Sequence, residues 1–139
     1  MGRDQQTQAI YILDVIRGRW SPAQVENKIK STALFDGCET QIRIPQDTGA
    51  AGKFQAGYLV GQLQGYSVKS EPEQRDKELR ANPLAAQCEH GFVRLLAGEW
   101  NKAFVDELCA FPSGAHDDQV DAASAAFRTL VRRVTWHAA

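Results

Sequence analysis

Short runs rich in β-branched and aromatic residues alternate along this chain with longer stretches whose apolar residues recur at helical spacing, and that alternation restricts it to the α/β class with a partly parallel sheet. Ala9 to Ile16 reads as a strand. Ser21-Pro22 starts a helix, a capping serine with proline at the first helical position, running to about Leu34 with Val25 and Ile29 on one face. Gln41 to Ile44 reads as a strand, with Asp47-Thr48-Gly49 as the loop at its exit. From about Gly52, Phe54, Tyr58, Leu59 and Leu63 recur at helical spacing until Gly65. Tyr66 to Val68 reads as a short strand. Glu73 to Glu89 reads as a helix broken or kinked at Pro83, with Leu79, Leu84 and Cys88 as its apolar positions. Phe92 to Leu96 is a further strand, and Asn101 to Ala110 a helix with Phe104, Val105 and Leu108 inward. A turn at Phe111 to Gly114 precedes a last helix from about Asp117 to Val134. That helix carries Val120, Ser124, Phe127, Val131 and Val134 on one face.

The length of 139 residues suits a single domain over 1–139, with the polar residues 1–8 as a loose start or the remnant of a tag. A formal net charge of -1 excludes attachment to nucleic acid by bulk charge alone, though acidic metal ligands and local basic contacts can cancel in such a sum. Cys38, Cys88 and Cys109 are odd in number and far apart, which argues for reduced thiols rather than a disulfide framework or a zinc site. No apolar run approaches membrane-spanning length, and no signal peptide opens the chain.

The densest chemistry lies in His116-Asp117-Asp118-Gln119-Val120-Asp121, followed by the small residues Ala122 to Ala126. Asp118 and Asp121 are three apart and share a helical face. Two carboxylates side by side repel unless a cation lies between them, and hard ions such as Mg²⁺ prefer oxygen ligands. Helix-start preference alone accounts for Asp117 and partly for Asp118. It accounts poorly for Asp121, one turn in. The small residues allow the helix to lie close against a sheet, although alanine is also simply a good helix former.

Asp47 is a second candidate, just past the carboxyl end of a strand, where open α/β sheets place their sites. An inert turn aspartate before glycine is the plain alternative. Gly49-Ala50-Ala51-Gly52-Lys53 is not a Walker A loop, because Asp47 and Phe54 stand where glycine and serine or threonine are required. Its backbone N–H groups and Lys53 can still hold a DNA phosphate. Arg17 and Arg19, beside Trp20 after the first strand, are further candidates for phosphate contact, as are Lys28, Lys30, Arg128, Arg132 and Arg133. A solvated helix face is the plainer reading for most of these. His90 and His137 are assigned nothing. Trp20, Trp100 and Trp136 read as packing residues.

Three segments together resemble the nuclease domain of phage terminase large subunits. They are Tyr11 to Pro22 (YILDVIRGRWSP), Ile44 to Lys53 (IPQDTGAAGK) and Phe111 to Ala122 (FPSGAHDDQVDA), in the family's order and at similar separations. Pro83 to Ala86 and Gly98 to Asn101 are similar to it as well, so the likeness covers the chain from about residue 8 to 130. The resemblance implies an RNase H-like fold, a mixed central sheet flanked by helices. It implies a metal-dependent endonuclease with two Mg²⁺ or Mn²⁺ ions on acidic residues. Asp47 matches the second acidic position, Asp118 and Asp121 the last acidic cluster with Asp117 as a further member, and Lys53 a glycine-lysine segment beside the site. The implied partners are double-stranded DNA, the terminase small subunit, the portal or a separate ATPase part, in the cytoplasm of a bacterial host.

One departure matters. Such domains open with a strand carrying the first metal-binding aspartate, and this chain reads as beginning at the end of the second strand, N-terminally truncated. Asp4 lies in a polar turn and Asp14 on the following strand, so neither replaces it. The expectations are weak metal binding, impaired cleavage and an exposed sheet edge that invites homo-oligomers. Three readings follow: a working nuclease or part of a split enzyme, an inactive prophage remnant, or a module that binds DNA or a packaging partner.

Overall fold

A serine followed by proline sets the first helix, and the computed structural model, which describes residues 1–72 and 76–131, bears this out in detail. In chain order the elements are β1 (Gly2–Arg3), β2 (Ile10–Ile12), α1 (Pro22–Asp36), β3 (Gln41–Gln46), α2 (Ala50–Gln62), β4 (Ser67–Pro72), α3 (Lys77–Glu89), β5 (Val93–Leu95), α4 (Asn101–Ala110) and α5 (Asp118–Val131). At the start of α1, Ser21 Oγ accepts from the Gln24 N–H at 3.4 Å and Gln24 Oε1 accepts from the Ser21 N–H at 2.9 Å. This reciprocal cap satisfies two donors that a helix start otherwise leaves free. Gly37 ends the helix at φ 81°, a conformation open to glycine.

The chain forms two compact units. One comprises Gly18–Arg75 and is a β-α-β arrangement preceded by α1. Its strands β3 and β4 run parallel, with Gln41 opposite Ser67 and Gln46 opposite Pro72. Ala33, Ile44, Ala56 and Leu63 form its core, packed by Ile29, Ile42, Leu59, Tyr66 and Val68. Arg43 on β3 reaches Glu71 on β4 at 2.9 Å.

The other unit comprises Met1–Arg17 and the chain from Asp76 onward. It holds a mixed three-stranded sheet in the order β1-β2-β5, with β1 antiparallel and β5 parallel to β2. Ile10 and Ile12 of β2 pack with Leu84 of α3, Phe104 of α4, and Ala123 and Phe127 of α5. The helices therefore cover the sheet through one apolar cluster. The small residues of α5 serve this packing, since Ala123, Ser124 and Ala125 are all buried.

Several expectations change. The strand expected over Ala9 to Ile16 is only Ile10–Ile12, because its parallel partner β5 offers just Val93–Leu95; Leu13 and Ile16 are left exposed. The opening residues are not loose. β1 pairs with β2, and Asp4 Oδ1 accepts from the N–H groups of Gln6 and Thr7, tying the turn between the strands. The short strand expected at Tyr66 to Val68 extends to Pro72, since β3 offers six residues to pair with. Phe54 and Tyr58, at helical spacing with Leu59 and Leu63, lie on the exposed side of α2, where Leu63 is buried and Leu59 packs against the core. Leu79, Cys88 and Val105 are likewise exposed.

The third helix runs through Pro83 without a break. Leu79 and Pro83 both lie on its exposed side, where solvent can take the carbonyl that proline leaves unpaired. Asp76 caps this helix by accepting from the Leu79 N–H at 2.9 Å. Glu73, where its start was expected, and Arg132, Arg133, Val134, Trp136 and His137 lie outside the described residues. Among the described residues, no helix is long and apolar enough to cross a membrane.

Candidate metal centre

The acidic run is held at a helix start that is anchored from inside the protein. Asp118 opens α5, and the carbonyl of Asp117 accepts its first helical bond from the Asp121 N–H at 2.9 Å. The anchor is Glu107 on α4, a carboxylate that is 8% exposed. Glu107 Oε1 accepts from the Gln119 N–H at 2.6 Å, and Oε2 accepts from the Gln119 side-chain amide at 2.5 Å. Helix starts leave N–H groups without intrahelical partners, and here a buried acid from a neighbouring helix serves one of them. Arg17, at the end of the N-terminal segment, stands 3.6 Å from the same carboxylate. Gln119 and Val120 are thereby turned inward while Asp117, Asp118 and Asp121 face outward or sit at the margin.

Two of those three carboxylates converge. Lys77, at the start of α3, donates to Asp117 Oδ2 at 2.5 Å and lies 3.5 Å from Asp121 Oδ2. Arg80, one turn further along α3 and 5% exposed, donates through Nη2 to Asp121 Oδ1 at 2.7 Å. The Asp117 carboxylate, with a smaller contribution from Asp121, holds the Lys77 ammonium above its ordinary range. Asp118 is exposed and shares the helix face with Asp121.

The donor chemistry suits a hard cation. Carboxylate oxygens are the donor type such ions take, and here a lysine ammonium stands among them, 2.5 Å from Asp117 Oδ2 and 3.5 Å from Asp121 Oδ2. Among the described residues, no three His, Cys, Asp or Glu side chains gather as a group able to hold a metal. The acids present therefore make at most part of a shell, and protein cations balance their charge.

Asp47 belongs to the unit of Gly18–Arg75 and is exposed, directly after β3, as its place in the sequence requires. The first turn of α2 presses against it. A Cβ at Gly52 would stand 2.6 Å from the Asp47 carbonyl oxygen, so only glycine lets the helix start this close to the acid. Gly49, with φ 129°, makes the turn between them. Lys53 is exposed in the same turn, and Arg19 is exposed in the segment before α1.

The residues missed at the level of sequence are Lys77, Arg80 and Glu107. A signal was present for two of them. Arg80 lies four residues before Leu84 and Glu107 three after Phe104, so each places a charge on a helix face whose neighbours are buried. Nothing local marks Lys77.

Comparison with known proteins agrees with the sequence segments and the fold. No curated protein and no solved structure gives a match. A family model described as the terminase RNaseH-like domain matches residues 4–130, spanning both units and every element from β2 to α5. With its α/β architecture, its mixed sheet and nearly its whole length covered, the chain belongs to the terminase RNase H-like domain family.

Proposed function

We propose that this terminase domain is a metal-dependent endonuclease that cuts double-stranded DNA during phage or prophage genome packaging. The observation that carries the proposal is the convergence of Asp117 and Asp121 on one cation at the anchored start of α5. Asp118 and Asp121, with Asp117 beside them, would hold Mg²⁺ or Mn²⁺, and Asp47 would contribute the second acidic position of the family. Such ions, when bound, activate a water and offset the charge that builds on the phosphate oxygens. The Glu107–Gln119 link holds the acids in place, so their geometry is set before any substrate arrives. Lys53, Arg17 and Arg19 are proposed to contact DNA phosphates, which position the duplex without reading its sequence. The terminase small subunit, the portal, a separate ATPase part and a second copy at a sheet edge are the proposed partners, in the cytoplasm of a bacterial host.

One observation favours a second reading, a chain that keeps the fold to bind DNA or a packaging partner without cutting. Lys77 and Arg80 already balance the charge of Asp117 and Asp121, so the acids are stable without a metal. Incubation with supercoiled plasmid and Mn²⁺ separates the two. Nicking is expected, and Asp118→Ala should reduce it by at least about 10- to 100-fold, the loss that removing even outer-shell support of a metal brings. Asp118 is exposed, so circular dichroism should show the variant folded. A folded wild-type chain that retains DNA but never nicks it would overturn the nuclease proposal.

A further inference from the structure

Strand β5 is an outer strand of the three-stranded sheet, and among the described residues no strand pairs with its far side. The Ile10 N–H donates to the Phe92 carbonyl at 2.8 Å, and the Leu96 N–H to the Ile12 carbonyl at 3.0 Å. Tyr11 stands beside Arg94 in this parallel register, so the N–H and C=O of Arg94 also face β2. Backbone groups alternate in direction along a strand, which turns those of Val93 and Leu95 outward. Side chains alternate as well. Val93 packs against the core that the helices cover, so Phe92, Arg94 and Leu96 lie on the opposite face. Phe92 is 48% and Leu96 57% exposed, and Leu13, just past the end of β2, is exposed too. Arg94 lies exposed between Phe92 and Leu96 and makes no ion pair or side-chain hydrogen bond among the described residues.

We propose that this edge takes an extended acidic segment of a partner protein, which adds as an antiparallel strand beyond β5. The proposal rests on the reading that the domain has packaging partners and stands apart from the cleavage chemistry. Backbone bonds to Val93 and Leu95 fix the register, because the partner residue between them then lies directly opposite Arg94. An aspartate or glutamate there meets the guanidinium, and apolar residues two positions to either side lie against Phe92 and Leu96. Charge decides against the other occupant. A second copy in this register sets Arg94 against its own equivalent, and like charges on edge strands resist such pairing. A strand this short also buries far less than the roughly 800 Å² per partner of a stable dimer. A second copy would therefore need another edge.

The full chain is mixed with a short blocked peptide that has glutamate at its centre, valine two positions to either side and threonine between, carrying a neutral fluorophore. A second peptide has lysine in place of the glutamate. Fluorescence anisotropy should show wild type favouring the glutamate peptide. Arg94→Glu should reverse the preference, with each affinity changing by about 3- to 10-fold, the effect of turning a cross-strand attraction into a repulsion. Leu95→Pro removes an outward N–H while leaving the bonds to β2, and should weaken both peptides by about 3- to 10-fold. Arg94 is exposed, so its variant keeps the fold even where proline does not. Amide exchange read by NMR should slow at Val93 and Leu95 when the glutamate peptide binds wild type. No binding of that peptide at millimolar concentration overturns the proposal. Binding that leaves those amides unprotected, or that a folded Leu95→Pro retains in full, does so as well, since it marks attraction to Arg94 without strand addition. Wild-type dimers in sedimentation that Leu95→Pro abolishes would assign the edge to a second copy instead. None of these outcomes depends on nicking, so the endonuclease reading stands or falls separately.

Discussion

Glu107 carries more structural consequence than any of the acids at the surface. It is the buried carboxylate that accepts two hydrogen bonds from a single residue, Gln119, and so joins α4 to the first turn of α5. Both donors are inside the protein, where an unsatisfied N–H is unfavourable because no water replaces the lost acceptor. Truncation to Ala is therefore expected to destabilise the fold by about 2–4 kcal/mol, the sum of a cavity and two orphaned donors. Glu107→Gln retains one acceptor oxygen and should lose roughly half as much. Urea denaturation of the two variants measures this directly. A loss below about 0.5 kcal/mol for Glu107→Ala, the level of a surface substitution, would show that the link does not support α5.

At the scale of elements, α1 and α2 are joined by a carboxylate as well, but a half-buried one. Glu26 on α1 accepts from Lys30 Nζ at 2.6 Å and from the Tyr58 hydroxyl on α2 at 3.1 Å. The Lys30 hydrogen bond, and to a smaller degree that of Tyr58, hold the Glu26 carboxyl below its ordinary value of 4.5. A group whose folded value is depressed stabilises the fold above its unfolded value, and loses that contribution as pH falls through the folded one. Hence the α1–α2 contact should be complete above about pH 4.5 and weaken below it. Carboxyl chemical shifts followed by NMR should show Glu26 titrating below 4.5 in wild type and closer to 4.5 in Tyr58→Phe. An identical midpoint in both proteins would remove Tyr58 from the linkage.

Across the whole molecule, two separate cores stand behind two compact units. Leu63 is 2% exposed and closes the core formed with Ala33, Ile44 and Ala56. Leu63→Ala should cost about 2–5 kcal/mol through lost burial and the cavity left behind. Because none of the residues around Ile10, Phe104 and Phe127 belongs to that cluster, amide exchange should accelerate mainly in Gly18–Arg75. Hydrogen exchange read by mass spectrometry decides this. Equal acceleration over Ile10–Ile12 and α5 would mean that the units unfold as one cooperative body.

The features legible from residue order alone are those that depend on near neighbours. Ser21-Pro22 announced the start of α1, Asn101 and Ala110 the ends of α4, and Ile44 to Asp47 an acid at a strand exit. Each rests on backbone geometry within a turn or two, where capping and periodicity operate. The three-residue spacing of Asp118 and Asp121 belongs to the same class, and so do the segments that resemble terminases. Pairing lengths were not legible, because β2 is as long as the partner that β5 offers it. Nor were the partners of the acids: Lys77 and Arg80 precede Asp117 and Asp121 by about forty residues, beyond the reach of any local pattern. Sequence set the supply of carboxylates, while the packing of α3 against α5 decided which cations they meet, since Coulomb attraction acts through space and is indifferent to position along the chain.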